Sequence, residues 1–432
     1  MTDAARIHDH VSDRARSRLR RRYAAERRFR LYGVIAISLT MLALTWLFAT
    51  VVARGHSAFL HSEVQLEITF SEEVVDPGGK RDLRELNVAN YAALVRRAMR
   101  ARFPEVTERR DRRELAKLAS SGAGLVLRDL VIEDPGIIGS TRKLWLPASG
   151  DVDMLRKGYI PRDVPESERK VSDKELAWID ALEEAGELRT GFNARFFSSG
   201  DSREPELAGI WGAVVGSLFT LLVTLLLSFP IGVGAAVYLE EFAPKNRWTD
   251  LVEININNLA AVPSIVFGLL GLAVFLNVFH LPRSAPLVGG LTLALMTLPT
   301  IIIASRASIM AVPPSIREAA LAMGASHMQV VWHHILPLAL PGMLTGSIIG
   351  MARALGETAP LLMIGMVAFI VDIPRGPTDP ATVLPVQIYL WVDSPERGFL
   401  EKTWAAIMVL LVFLVTMNAL AVLLRKKFER RW

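Results

Sequence analysis

Residues 209–238 read GIWGAVVGSLFTLLVTLLLSFPIGVGAAVY, thirty consecutive positions without a formal charge. A helix rises about 1.5 Å per residue and the hydrocarbon core of a bilayer is about 30 Å thick, so roughly 20 such residues suffice for a crossing. Lipid is therefore the solvent this stretch is built for, and that decides the fold class. Working outward, Ile254–Phe279, Pro286–Ser305 and Trp404–Leu424 are equally free of charge, and Leu31–Val52 is a further apolar run near the start of the chain. Leu338–Ile370 is apolar but interrupted by Arg353 and Glu357. Six transmembrane helices follow.

Ten arginines from Arg6 to Arg30 precede the first run, and Arg425, Lys426, Lys427, Arg430 and Arg431 follow the last. Basic residues beside spans stay on the cytoplasmic side, so both termini are expected there, an even number of crossings apart. A cleaved signal peptide is the alternative for Leu31–Val52; the length of the run and the lack of a small-residue cleavage site favour an uncleaved anchor. The net charge of +5 then reports topology, and no nucleic-acid partner is expected. The chain has no cysteine, which removes disulfides, thiolate metal sites and a cysteine nucleophile. It also carries no HExxH, no G-x-S-x-G and no phosphate-cradling Gly-rich loop ending in Lys-Ser or Lys-Thr, so it is not expected to be an enzyme or to hydrolyse ATP itself.

Residues 54–206, between the first and second spans, are polar and too long for the charge rule to govern, and should form a soluble domain outside the cytoplasmic membrane. Val64–Phe70 alternates as a strand does, and Gly124–Val131 reads the same way, while Asn90–Phe103 and Lys174–Leu188 have helical spacing. Ser172 and Glu175 have the spacing of a capping box that would start the last of those helices. Ser198–Pro205 reads as a linker, and the charges of Glu108–Glu114 as a solvated helix face.

The most informative polar stretch separates the fourth and fifth spans: SIREAALAMG over 315–324, ASHMQVVWH over 325–333 and HILP over 334–337. Arg317 to Met323 favour a helix, Gly324 ends it, and Val330, Val331 and Ile335 restart helical spacing. The small alanines beside Glu318 leave a smooth protruding surface for a soluble partner.

Here the chain resembles the inner-membrane permeases of ATP-binding-cassette (ABC) importers, whose cytoplasmic loop reads E-A-A, three residues, G, nine residues, I, one residue, L-P. Glu318-Ala319-Ala320, Gly324 and Leu336-Pro337 match, and His334 stands where the pattern has Ile, with Ile335 beside it. Tyr238–Pro244, Val262–Gly271 and Gly356-Glu357-Thr358-Ala359-Pro360 extend the likeness to the PstA-type phosphate permeases, the last segment being the most particular to them. The large insertion after the first span departs from the shortest members. The resemblance implies a type I importer permease in the bacterial inner membrane. Arg317, Glu318, Ala319, Ala320 and Gly324 would belong to the coupling helix that docks on the ATPase. It also implies partners: a second, PstC-like permease, a PstB-like ATPase dimer holding ATP and Mg2+, and a periplasmic PstS-like phosphate-binding protein. This chain itself would bind no cofactor.

The residues allow an independent reading of the fifth span. Arg353 and Glu357 are four apart and share a helical face. A charge near a helix centre costs about 2.5–3.5 kcal/mol on insertion scales, so the pair must face protein or water. Arg353 presents a planar fork suited to a tetrahedral oxyanion, Glu357 would hold or compete for that fork, and Thr358 adds a hydroxyl; these three are the candidate substrate path. A buried ion pair that only fixes packing is the alternative. Gly346, Gly350 and Gly356 with Pro341 and Pro360 indicate close helix contacts or a broken helix, and Ser264 is a lesser candidate.

The expected protein is thus all-α and polytopic, with an α+β periplasmic insertion between the first and second of six helices. Its segments are a basic tail (1–30), a first helix (31–53), the insertion with its linker (54–206), a five-helix core (207–424) with a coupling loop at 311–337, and a second basic tail (425–432). A permease for molybdate or sulfate is the rival within the class. A membrane sensor with an outer ligand-binding domain is the rival outside it, and would call for an output domain beyond Leu424.

Overall fold

The computed structural model describes residues 13–428, so the outermost parts of both basic tails, 1–12 and 429–432, lie outside the described residues. The chain divides into two compact units, one up to Arg54 and one from Gly55 onward. The described residues of the first lie in one long helix, α1 (Asp13–Gly55), which contains the first apolar run and ends at the first residue of the second unit. Thr40, Thr45 and Thr50 donate to the carbonyls of Ala36, Met41 and Trp46 one turn back, so their hydroxyls need no water.

The second unit opens with β1 (Leu60–Thr69), α2 (Tyr91–Arg102), α3 (Ala123–Glu133), β2 (Thr141–Pro147), α4 (Gly150–Arg156), α5 (Asp173–Glu184) and β3 (Leu188–Phe192). The strands form an antiparallel sheet in the order β2-β1-β3, with Leu66 opposite Leu144 and Val64 opposite Leu188. Alternate residues of β1, Val64, Leu66 and Ile68, are buried with Met99 of α2, Leu127 of α3 and Ile179 and Leu182 of α5. The strand and helix expected at Val64–Phe70 and Asn90–Phe103 are present. At the start of α5, Ser172 and Glu175 make both hydrogen bonds of the capping box.

Two expectations here fail. Gly124–Val131 is not a strand but lies in α3. Its short alternation concealed the spacing that packing uses: Ala123, Leu127 and Val131, four apart, are the fully buried residues. The helix over 174–188 stops at Glu184, because Gly186 takes φ +69° and turns the chain so that Leu188 begins β3. The 198–205 connection is irregular, as a linker would be, yet packed: Asp201 Oδ1 accepts from Trp391 Nε1 at 2.9 Å.

The helices from Trp211 onward that matter here are α6 (Trp211–Val237), α7 (Arg247–Ala260), α8 (Ser264–Gly271), α9 (Pro286–Met310), α10 (Pro314–Ala322), α11 (His327–Val330), α12 (Leu336–Gly356), α13 (Ala359–Met363), α14 (Leu384–Val392) and α15 (Gly398–Phe428). Among the described residues five helices are long and apolar enough to cross a membrane, six if the bent pair α7–α8 makes one crossing. The span expected at Ile254–Phe279 falls on two helices, α7 and α8, bent by 100° where they meet. Pro263 has no N–H to give and biases Val262 away from helix, so the break falls there.

α6 and α9 run parallel. Gly290 meets Val223, Gly232 meets Ile301, and Glu240 beyond α6 meets Arg306 of α9. α12 runs antiparallel to α9, with Gly342 against Ser308 and Gly346 against Ala304. Thr224 donates to its own helix at Thr220 O (2.8 Å) and across to Gly290 O (3.2 Å).

Candidate functional site

The 311–337 segment, expected to be the coupling loop, forms the hairpin its residues specify. α10 ends at Ala322, and Gly324 takes φ +85°, a conformation that L side chains rarely adopt. The amides of Gly324 and Ala325 return to the carbonyls of Leu321 (2.9 Å) and Ala320 (3.1 Å), closing the helix end in a left-handed turn. Ser326 and Gln329 then form a capping box that starts α11, a feature the sequence reading missed although its spacing was there to find. The second short helix is not separate. It continues through a widened turn at Val331–Ile335 into α12.

The five residues assigned to the coupling helix divide by direction. Glu318 and Ala319 are exposed, together with Leu321 and Met323, which is 88% exposed. Ala320 is buried with Val330, Val331 and Ile335 under the hairpin. Ile335 thus fills the apolar pocket, and His334 points outward. Arg317 also points inward. Its guanidinium donates to Glu241 Oε1 (2.8 Å) and to the carbonyls of Ile309 (3.0 Å) and Val312 (2.9 Å) at the end of α9. Its place is beneath the hairpin, fixing the angle at which α10 leaves the span.

The neighbouring Glu240 receives Arg306 Nε at 2.5 Å, and Arg306 Nη2 reaches Glu253 of α7 at 2.7 Å. Arg306 escaped the sequence reading because the charge-free run was ended at Ser305, whereas α9 continues to Met310.

At the opposite end of α12 the helix stops at Gly356. Pro360 explains the stop, since its ring would collide with the Gly356 carbonyl four residues earlier and it supplies no N–H. Glu357 is extended (φ −81°, ψ 114°), and Thr358 precedes the short α13. Arg353 and Glu357 remain neighbours, although Glu357 lies beyond the last helical residue and so does not share a continuous helical face. Nε and Oε1 are 3.6 Å apart, too long for a hydrogen bond, and the Arg353 side chain is 51% exposed. Thr358 is half-buried close by, and Ser264 is half-buried in the first turn of α8. Of the glycines, Gly346 allows the close approach of α12 to α9, while Gly356 has open space around it.

The family model described as "binding-protein-dependent transport system inner membrane component" matches residues 228–431. A domain of unknown function (DUF3333) matches residues 16–166. The phosphate transport system permease protein PstA 1 of Mycobacterium tuberculosis (strain CDC 1551 / Oshkosh) is 30% identical over 223 residues, 52% of this chain and 72% of that protein. Phosphate transport system permease protein PstA of Haemophilus influenzae is 30% identical over 213 residues, 49% of this chain and 74% of that protein. Among solved structures, the MetNI methionine ABC transporter in an inward-facing conformation aligns with a TM-score of 0.42 at 19% identity, over 51% of this chain and 98% of that chain.

Proposed function

The chain belongs to the family of binding-protein-dependent transport system inner membrane components, as a non-catalytic permease component of an ABC importer, and from that premise we propose that it carries inorganic phosphate into the cytoplasm. The observation that carries the choice of an anion is Arg353. A half-exposed guanidinium in an apolar span, with no hydrogen bond to its nearest carboxylate, has to be covered by something other than lipid tails. An oxyanion in a cavity shared with a second permease meets that need. The loosely held Glu357 competes for the same fork, so binding stays weak enough for release.

The parallel packing of α6 and α9 supports six crossings. Two consecutive parallel spans require the intervening chain to recross once, and α8 with its bent partner α7 is the segment available. The soluble domain then sits outside the cytoplasm, at the face where α6 and α15 begin, and the hairpin sits inside. Glu318, Ala319 and the exposed Leu321 and Met323 would dock on one of two ATPase subunits that hold ATP and Mg2+, while Arg317 and Ala320 brace that surface from behind. An external binding protein would deliver the substrate.

The test is ATP-dependent uptake of labelled phosphate by vesicles containing the assembled transporter, with sulfate and molybdate as competitors and Arg353→Gln as the variant. Uptake that resists both competitors and falls at least tenfold in an assembled variant is expected. Unchanged uptake in the variant would reduce Arg353 to packing. An assembled, ATP-hydrolysing wild type that ignores phosphate would remove phosphate as the substrate.

A further inference from the structure

The inner ends of the spans carry a chain of contacts that the permease reading does not use. Glu240 and Glu241 are consecutive, and each holds one arginine: Glu241 holds Arg317 of α10, and Glu240 holds Arg306 of α9. Arg306 continues to Glu253 of α7. The helix α7 has no buried residue, and Thr249, Glu253, Ile256 and Ala260 are its half-buried positions. Their spacing of three and four residues makes one inward stripe. Glu253 is the charged member of that stripe, so its bond to Arg306 fixes how α7 sits on α9.

Beyond the Pro263 bend, α8 packs on α13. A Cβ on Gly268 would lie 2.6 Å from Pro360 Cα and 2.9 Å from Pro360 O, so the two backbones touch. Pro360 is two residues from Thr358 and three from Glu357. The line from the exposed hairpin to the break in the fifth span is therefore continuous: Arg317, Glu241 and Glu240, Arg306, Glu253, the 100° bend, Gly268, Pro360.

Resting on the permease reading, we propose that Arg306 and Glu253 are positioning residues that transmit movement of the coupling hairpin to α7 and, through the bend, to the helix break beside Arg353. Arg306 suits this task because its planar fork holds two carboxylates on different elements at once, at 2.5 and 2.7 Å. A lysine presents a point charge and fixes no angle between them. Displacement of α10 pulls Glu241 through Arg317, and Glu240, its neighbour in the backbone, moves with it.

The test starts with the full chain alone in nanodiscs. The chain has no cysteine, so Asn257→Cys, on the exposed side of α7, gives one spin label. Its mobility is measured in a double-mutant cycle of Arg317→Gln and Glu253→Gln. Arg317→Gln should loosen the label in the wild-type background by at least twofold in correlation time and have no further effect once Glu253→Gln is present. Additive effects would overturn the relay, whatever the chain transports. In the assembled transporter, Glu253→Gln should retain ATP hydrolysis by the partner subunits while uptake per ATP falls at least fivefold, and an unchanged ratio would overturn the proposal as well. A wild type that hydrolyses ATP without taking up phosphate would instead count against the substrate assignment, and the spin-label cycle would still decide the relay.

Discussion

Replacing Lys157 with Met should loosen the sheet-bearing segment from α15, and the structure sets the size of the effect. The Lys157 side chain, 12% exposed at the junction, makes three contacts: Asp153 Oδ2 at 2.6 Å, Glu401 Oε1 at 2.7 Å and the Leu60 carbonyl at 2.8 Å. Its three donors are therefore all engaged. The Glu401 side chain is 4% exposed, and its other oxygen has no partner. Lys157→Met strands two carboxylates out of water, with only the Ser62 amide left on Asp153 at 2.8 Å. Breaking a buried pair on one side typically costs about 3–5 kcal/mol. For a unit of 150–250 residues each kcal/mol moves the midpoint by roughly 2–4 °C, so a fall of roughly 6–20 °C is expected. The assay is thermal unfolding of the full chain in nanodiscs, with protease cutting of the 198–205 connection as a local readout. The double variant Lys157→Met, Glu401→Gln should recover part of the loss, because one stranded charge is gone. A single-variant shift below about 3 °C would place the pair among solvent-screened surface bridges and refute the reasoning.

Three further outcomes can be checked. Gly324→Val forces a β-branched residue to φ +85°, at a cost of about 1–2 kcal/mol in the hairpin turn; the variant should remain in the membrane but lose at least tenfold in ATP-driven uptake, and full uptake would show that the turn tolerates other geometry. Ser172→Ala removes the capping box of α5 and should lower the stability of the soluble domain by about 1 kcal/mol, with hydrogen exchange rising first over 173–176; unchanged protection there would refute it. Burial holds the Glu206 carboxyl above its ordinary value of 4.5, against the opposing effect of the Ser120 hydrogen bond. A raised folded-state value penalises the fold once pH exceeds the unfolded value, and the penalty grows until the folded carboxyl ionises. Glu206→Gln keeps an acceptor for Ser120, so the wild type should lose midpoint relative to the variant as pH rises above about 4.5, and parallel curves would refute the assignment.

Five of the expected spans were legible because hydropathy along the chain is one-dimensional information and needs no partner. So were the turn at Gly324 and the cap at Ser172, whose signals lie within four residues. The exposed His334 beside the buried Ile335 shows the same locality: the departure from the family pattern is absorbed one position along. What was not legible depends on distant packing. Gly124–Val131 alternates over too few residues for period two to exclude helix, and only the burial of Leu127 and Val131 under the sheet selects it. β3 falls where a helix was extended by a few residues, and a strand at the sheet edge declares itself only when β1 is beside it. A proline marks the bend at 263, but nothing local announces its 100° or that α8 beyond it meets Pro360, almost a hundred residues later.

Hydropathy treats a charged residue as the edge of a span, and that convention hid the features that matter most here. At one end of the bundle, Lys157 holds Glu401 and Lys402 Nζ meets the Ala208 carbonyl at 2.5 Å; towards the other, Arg306 and Arg317 hold three glutamates, and Arg425 reaches Thr345 Oγ1 at 3.2 Å. Each of these side chains has a hydrogen-bonding partner that ties one segment of the chain to another, as burial requires. Arg353 differs from them all. Among the described residues it has Glu357 alone, at 3.6 Å, and half of its side chain is open. Burial puts no such requirement on a half-open guanidinium, so the pair is left loose and the fork faces outward from its own chain. The looseness of the pair, more than the presence of a charge in the span, is what argues for an anion path at the break after Gly356.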